Sequence, residues 1–170
     1  MHAEAEAKST RLDVIRSLKP HKAERHGLQI SGEIDLLVID QPRRRIWVVE
    51  AKAGNVALDP DQLLHDIIDF HGVPASSHPR WTTYRAKRKA YIPTLLTKTS
   101  EIQQQTDQLL SMSGVPADSG PWTVLPLMLT PSPVPAAYVP EPQVPFATLD
   151  SLATVLDLPL PPDPGPASGD

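Results

Sequence analysis

Residues 32–52, GEIDLLVIDQPRRRIWVVEAK, constrain the fold of this chain more than any other stretch. Two apolar runs flank a short polar loop with Pro42 at its tip, and acids interrupt both runs. Runs of this length, rich in Ile, Val and Trp, read as paired strands over residues 33–40 and 45–52, with the loop at 41–44. A turn symmetric about positions 42 and 43 sets Asp35 directly across from Glu50, with Cβ atoms about 5 Å apart. Side chains two apart in a strand share a face, which groups Glu33 with Asp35 and Glu50 with Lys52.

A carboxylate inside an apolar sheet costs several kcal/mol unless something neutralises it. Two carboxylates facing each other repel, so one pKa rises unless a cation intervenes. Asp35, Glu50 and Lys52 therefore form a cluster whose simplest missing partner is a hard divalent ion, Mg2+ or Mn2+, with the Ala51 carbonyl as a third protein donor. Lys52 then faces the same cavity, where its ammonium meets a phosphate oxygen or an ion-bound water. Such a set suits phosphodiester hydrolysis, because both cations act on charge that grows in the transition state.

An acid on one strand followed by Glu-x-Lys on the next resembles the PD-(D/E)xK nuclease superfamily. Asp35 matches the first acid and Glu50-Ala51-Lys52 the tripeptide, while GEIDLLV followed by WVVEAK looks like the nuclease-related and resolvase-like branches. The Pro-Asp of the family's name is replaced here by Ile34-Asp35. The resemblance covers residues 1–72 and 122–130. It implies an α/β fold with a restriction-endonuclease-like α-β-β-β-α-β core, magnesium-dependent cleavage of DNA, and a role in repair, restriction or defence. Many relatives act as dimers, so a homodimer is compatible with it. The competing expectation is a catalytically inactive module of the same fold that binds nucleic acid or a partner protein.

The rest of the chain is read around that hairpin. Leu12, Ile15 and Leu18 at helical spacing predict a first helix over 4–18, stopped by Pro20, and a short strand over 25–30. Asp59-Pro60-Asp61-Gln62 is a helix-start signature, with Asp59 as N-cap and Gln62 closing a capping box. That helix runs to about His71, with Leu63, Leu64, Ile67 and Ile68 inward, a Leu58–Leu63 staple, and Gly72 as its end. Residues 83–112 are helical in pattern with a break near Pro93, Tyr91, Ile92, Leu95 and Leu96 inward, and Gly114 as C-cap. An apolar strand over 122–129 follows, pushed toward an edge or bulge by Pro126. Short pairings are expected at 138–139 and 144–147, and then a helix capped by Asp150 and ending near Leu156. One domain over 1–158 results, with a helical insert at about 80–114 lying outside the family core and a proline-rich disordered tail at 159–170.

Secondary candidates carry weaker signals. Glu33 is a candidate further ion ligand, or else an outward strand charge. Glu4 and Glu6 are candidates for an acid from the first helix, though solvated charges explain them. Gln62 sits where some family members place a glutamine, but capping already explains it. Asp66 and Asp69 read as solvated, and His65 and His71, six apart, as surface histidines on different faces. Arg43, Arg44 and Arg45 at the hairpin tip, with Arg80, Arg85, Lys87, Arg88 and Lys89 further on, are candidate phosphate contacts. Among the latter lie Trp81, Tyr84 and Tyr91, whose rings either stack on bases or pack inward.

Charge supports this only modestly. Residues 1–98 hold all 16 lysines and arginines against 12 acids, and residues 99–170 hold the other 8 acids and no base. With no cysteine, disulfides and thiolate metal sites are excluded. No apolar run approaches the roughly 20 residues of a membrane span, and the start lacks a signal-peptide core, so a cytoplasmic location is expected.

Overall fold

The computed structural model describes residues 12–53, 59–72, 89–116, 120–139 and 144–157. Their order is β1 (Leu12–Leu18), α1 (Pro20–Glu24), β2 (Ile34–Asp40), β3 (Arg45–Ala51), α2 (Pro60–His71), α3 (Tyr91–Gln104), α4 (Thr106–Met112), β4 (Thr123–Thr130), a 3-10 turn (Pro135–Tyr138), β5 (Phe146–Thr148) and α5 (Leu152–Asp157). The five strands form one mixed sheet in the order β1-β2-β3-β4-β5. β2 runs antiparallel to both β1 and β3, whereas β4 lies parallel to β3 and β5 parallel to β4. The protein is thus of the α/β class, with helices inserted between the parallel strands β3 and β4, as a parallel connection requires.

The expected hairpin register holds. Leu36 faces Val49, Val38 faces Trp47 and Asp40 faces Arg45. Alternation along β2 and β3 feeds two cores. Leu37, Ile39, Ile46 and Val48 join Ile92, Leu95 and Ile102 of α3 and Leu109 and Leu110 of α4 on one face. On the other face Val38, Trp47 and Val49 join Leu127 and Ala147, with Leu152, Val155 and Leu156 of α5 packed against them. β3 is paired along both edges and buried on both faces, which explains its unbroken IWVV run.

Several sequence expectations give way to tertiary context. Residues 12–18 form a strand, not the end of a helix, because the apolar outer edge of β2 needs a partner for its amides and carbonyls. Residues 4–11 of that expected helix lie outside the described residues. Pro20 starts a helix rather than stopping one, at the first position where its missing N–H costs nothing. The strand expected at 25–30 is absent. There the Gln105 side chain accepts from the Gln29 amide (2.6 Å) and donates to its carbonyl (2.7 Å), while Glu101 accepts from Ser31 N–H (2.9 Å). Helix side chains thus supply what a neighbouring strand would have given.

The N-cap of α2 forms as expected, Asp59 accepting from Gln62 N–H at 2.9 Å, and Gly72 ends the helix with φ +87°. Its inward face differs: Ile68 and Phe70 are buried, whereas Leu63 and Leu64 are exposed. Leu58 of the expected staple lies outside the described residues. In the next helical stretch Lys89 and Ala90 are not helical, α3 starts at Tyr91, and a break falls at Gln105; residues 83–88 of the expected helix lie outside the described residues. Pro93 sits in the first turn of α3, where an amide has no intrahelical partner anyway. These helices are not peripheral, since α3 packs directly on β4 and β3.

Pro126 fits β4 because the amide of Met128, two residues on, donates away from β3 to the Pro145 carbonyl (3.0 Å). By alternation the missing donor of Pro126 also points away from β3, before β5 begins to pair at Met128. Residues 135–138 form a 3-10 turn instead of the pairing expected at Tyr138, and pairing at 144–147 narrows to β5. Ser151, not Asp150, opens α5: its carbonyl accepts from Val155 N–H (2.9 Å) and its hydroxyl from Thr148 N–H (2.9 Å). No helix of the described residues is long and apolar enough to cross a membrane.

Candidate metal and phosphate site

The pairing of β2 with β3 stops at Leu36 and Val49, although both strands continue. At that opening the Ala51 amide, which would have continued the ladder, donates instead to Asp35 Oδ2 at 2.8 Å. The amide and carbonyl of a strand residue leave on the same edge, so the Ala51 carbonyl faces this gap too. Glu50 alternates with Val48 and Ile46, so its carboxylate belongs to the α3 side of the sheet, whereas the Asp35 carboxylate turns into the gap between the strands.

Glu50 is buried, and two ammonium groups hold it. Lys52 Nζ lies 2.6 Å from Oε1 and Lys98 Nζ 2.7 Å from Oε2. Lys98 also donates to the Glu33 carbonyl at 2.5 Å. Burial alone would push the Glu50 carboxyl up, but the hydrogen bonds and charges of Lys52 and Lys98 outweigh it and hold it below the ordinary glutamate range. Lys52 is likewise penalised by burial, yet its bond to Glu50, with Asp35 adding charge, keeps its pKa above the ordinary lysine value. The Lys52 ammonium stands 5.0 Å from the centroid of the Tyr91 ring, which packs edge-on against Phe70 (5.2 Å). Tyr91 is therefore an inward wall of the site rather than a base-stacking platform.

Lys98 is the residue that sequence reading missed. It comes from the middle of α3, 46 residues beyond Lys52 in the chain. A signal was present: Lys98 interrupts the inward stripe of Leu95 and Ile102 at helical spacing, where a lysine has to find a buried anion.

Other candidates separate from the cluster. Glu33 precedes β2, so strand alternation does not turn it toward Asp35; its carboxylate accepts from the Ser17 hydroxyl instead. Gln62 is exposed on α2, its amide at the cap. The hairpin-tip arginines lie at the far end of β2, about 17 Å from Asp35 at 3.4 Å per residue. There Arg43 pairs with buried Asp40 (3.1 Å), and the Arg44 side chain lies against Gly120. A phosphate at the carboxylates is therefore out of their reach. Lys89 is exposed just ahead of α3. Arg80, Arg85, Lys87 and Arg88, like Trp81, Tyr84, Glu4 and Glu6, lie outside the described residues.

His71 is half-buried, its Nε2 meeting the Ala136 carbonyl at 2.8 Å. Asp66 is not fully solvated, for its Oδ2 is buried without a hydrogen-bond partner. Burial, with Asp69 adding repulsion and His65 opposing it, pushes the Asp66 carboxyl up.

Among the described residues, no group of three or more His, Cys, Asp or Glu side chains is arranged to hold a metal ion. The hard oxygens at this margin are the Asp35 and Glu50 carboxylates and the Ala51 carbonyl, with both Glu50 oxygens held by lysines and Asp35 Oδ2 by the Ala51 amide. They suit an ion that keeps most of its own waters, provided one lysine yields its hold on Glu50. No protein-family model, curated protein or solved structure matches this chain.

Proposed function

We propose that this protein is a metal-dependent phosphodiester hydrolase, an endonuclease-like enzyme acting on DNA, of the PD-(D/E)xK type. The observation that carries the reading is the opening where β2 and β3 part: there Asp35 takes the Ala51 amide, and Lys52, bonded to Glu50, also feels the Asp35 charge. The strand pattern supports it: three antiparallel strands, a helical connection, then a fourth strand parallel to the third. That sequence of elements agrees with a restriction-endonuclease-like core, although β1 is preceded by no helix among the described residues.

Asp35, Glu50 and the Ala51 carbonyl would hold Mg2+ or Mn2+. When bound, the ion supplies Lewis acidity and a water of lowered pKa. Lys52, released from Oε1, keeps its place near the Tyr91 ring and offers its ammonium to a phosphate oxygen as negative charge grows there. The aromatic wall and the buried stem of Glu50 keep bulk water from one side of the site, which strengthens each of these contacts.

The test is incubation of purified protein with linear, circular, nicked and branched DNA, with and without Mg2+ or Mn2+. Ion-dependent cleavage is expected, lost in Asp35→Ala and Lys52→Ala proteins that still fold. Cleavage undiminished in Lys52→Ala refutes the assignment. One observation favours the rival reading of a non-catalytic module: two carboxylates and two ammonium groups already balance one another. In that case Mg2+ and Mn2+ leave the melting temperature unchanged, whereas an occupied site raises it by mass action.

A further inference from the structure

Glu50 is gripped by two ammonium groups that differ in their freedom to leave. The Lys98 side chain is 6% exposed, and its ammonium has two acceptors, Glu50 Oε2 at 2.7 Å and the Glu33 carbonyl at 2.5 Å. Its stem runs between the body of α3 and the backbone at Gly32, where an added Cβ would stand 3.4 Å from Lys98 Cε. The Lys52 side chain is 26% exposed, meets Glu50 Oε1 at 2.6 Å, and has the Tyr91 ring as a second seat for its charge. An ion entering the gap therefore displaces Lys52 and not Lys98. Oε1 becomes the donor, and Oε2 stays taken.

We propose that Lys98 is the residue that selects the ion: by keeping Glu50 Oε2, it confines the carboxylate to one-oxygen donation and so favours magnesium or manganese over calcium. The inference rests on the reading of the site as a metal centre. Calcium takes six to eight oxygens at 2.3–2.6 Å and readily uses both oxygens of one carboxylate, whereas magnesium binds six at 2.0–2.1 Å and keeps several waters. A site offering single oxygens from Asp35, Glu50 and Ala51 completes a magnesium shell with water, but leaves calcium short of protein donors. The lysine charge that stays behind adds to this, since it lowers the pull of the pocket on any ion that must shed more water.

Titration calorimetry with Mn2+ alone and with Ca2+ alone tests this on the wild-type chain and on Lys98→Met, Lys98→Gln and Lys52→Met. The wild type should bind Mn2+ at least about tenfold more tightly than Ca2+. Lys98→Met should narrow that ratio to about threefold or less, chiefly by gaining Ca2+ affinity. Lys98→Gln, whose amide still donates to Oε2, should keep most of the preference. Lys52→Met should raise Mn2+ affinity and leave the ratio intact, and circular dichroism checks that each variant is folded. Should Lys98→Met fail to fold, the other two carry the test, for a ratio that collapses in Lys52→Met or in Lys98→Gln overturns the proposal. An unchanged ratio in folded Lys98→Met overturns it while leaving the metal site standing. A wild-type chain that binds neither ion overturns both.

Discussion

Replacing Lys98 and Lys52 by methionine, one at a time, should cost stability in a definite order. Both lysines bond the same carboxylate at nearly the same distance, 2.7 and 2.6 Å, so distance does not separate them. Burial does, at 6% against 26% side-chain exposure. Breaking a buried pair from one side typically costs roughly 3–5 kcal/mol. Lys52 would still neutralise Glu50, which brings the expected loss for Lys98→Met to about 2–3 kcal/mol. Lys52 lies nearer the exposed limit, and Lys98 would remain after its removal, so Lys52→Met should cost about 1 kcal/mol or less. Urea unfolding at pH 7 with a chelator present measures both. For a chain of this length the Lys98→Met loss corresponds to about 4–12 °C in melting temperature. Adding Glu50→Leu to Lys98→Met should recover much of it, since a buried ion pair replaced by apolar groups is often neutral. Equal losses in the two single variants, or a larger loss for Lys52→Met, would refute the ranking.

Glu50 titrates lower in the folded chain than in the unfolded one, so its contribution to stability is full above about pH 4.3 and is lost as pH falls through the folded value. Lys52 titrates higher when folded, so its contribution is full below about pH 10.4 and is lost as pH rises through the folded value; Glu50→Gln should flatten both limbs of the melting profile. Asp66 has the opposite sign to Glu50, its folded pKa being raised, so Asp66→Asn should increase the melting temperature at pH 7. Gly72 closes α2 at φ +87°, ψ 173°, a region that residues with a Cβ avoid, and Gly72→Ala should cost about 1–3 kcal/mol by urea unfolding.

The hairpin was legible because its determinants are local. A four-residue turn fixes the register of Leu36 with Val49, the last pair of the ladder before Asp35 and Glu50, without knowledge of any other element. The cap at Asp59 was legible for the same reason, since its hydrogen bond spans three residues. What failed depended on partners distant in the chain. Leu12, Ile15 and Leu18 satisfy a helical period, and only the open edge of β2 decides for a strand. Gln105, read as part of a helix, turns out to bond the backbone of Gln29, 76 residues earlier. Lys98 belongs with these. Its intrusion into an apolar stripe announces a buried counter-charge, but which acid answers is settled only when α3 is laid across β3.

The amide of Ala51, turned from its neighbour's backbone to the Asp35 side chain, marks an open margin of the sheet. Helical layers roof the sheet above and below, whereas Glu33, Ala51 and Ala53 at this margin are open to solvent. On the proposed reading, a threadlike substrate would lie crosswise over the strand ends, as a rope lies over the tips of a fork.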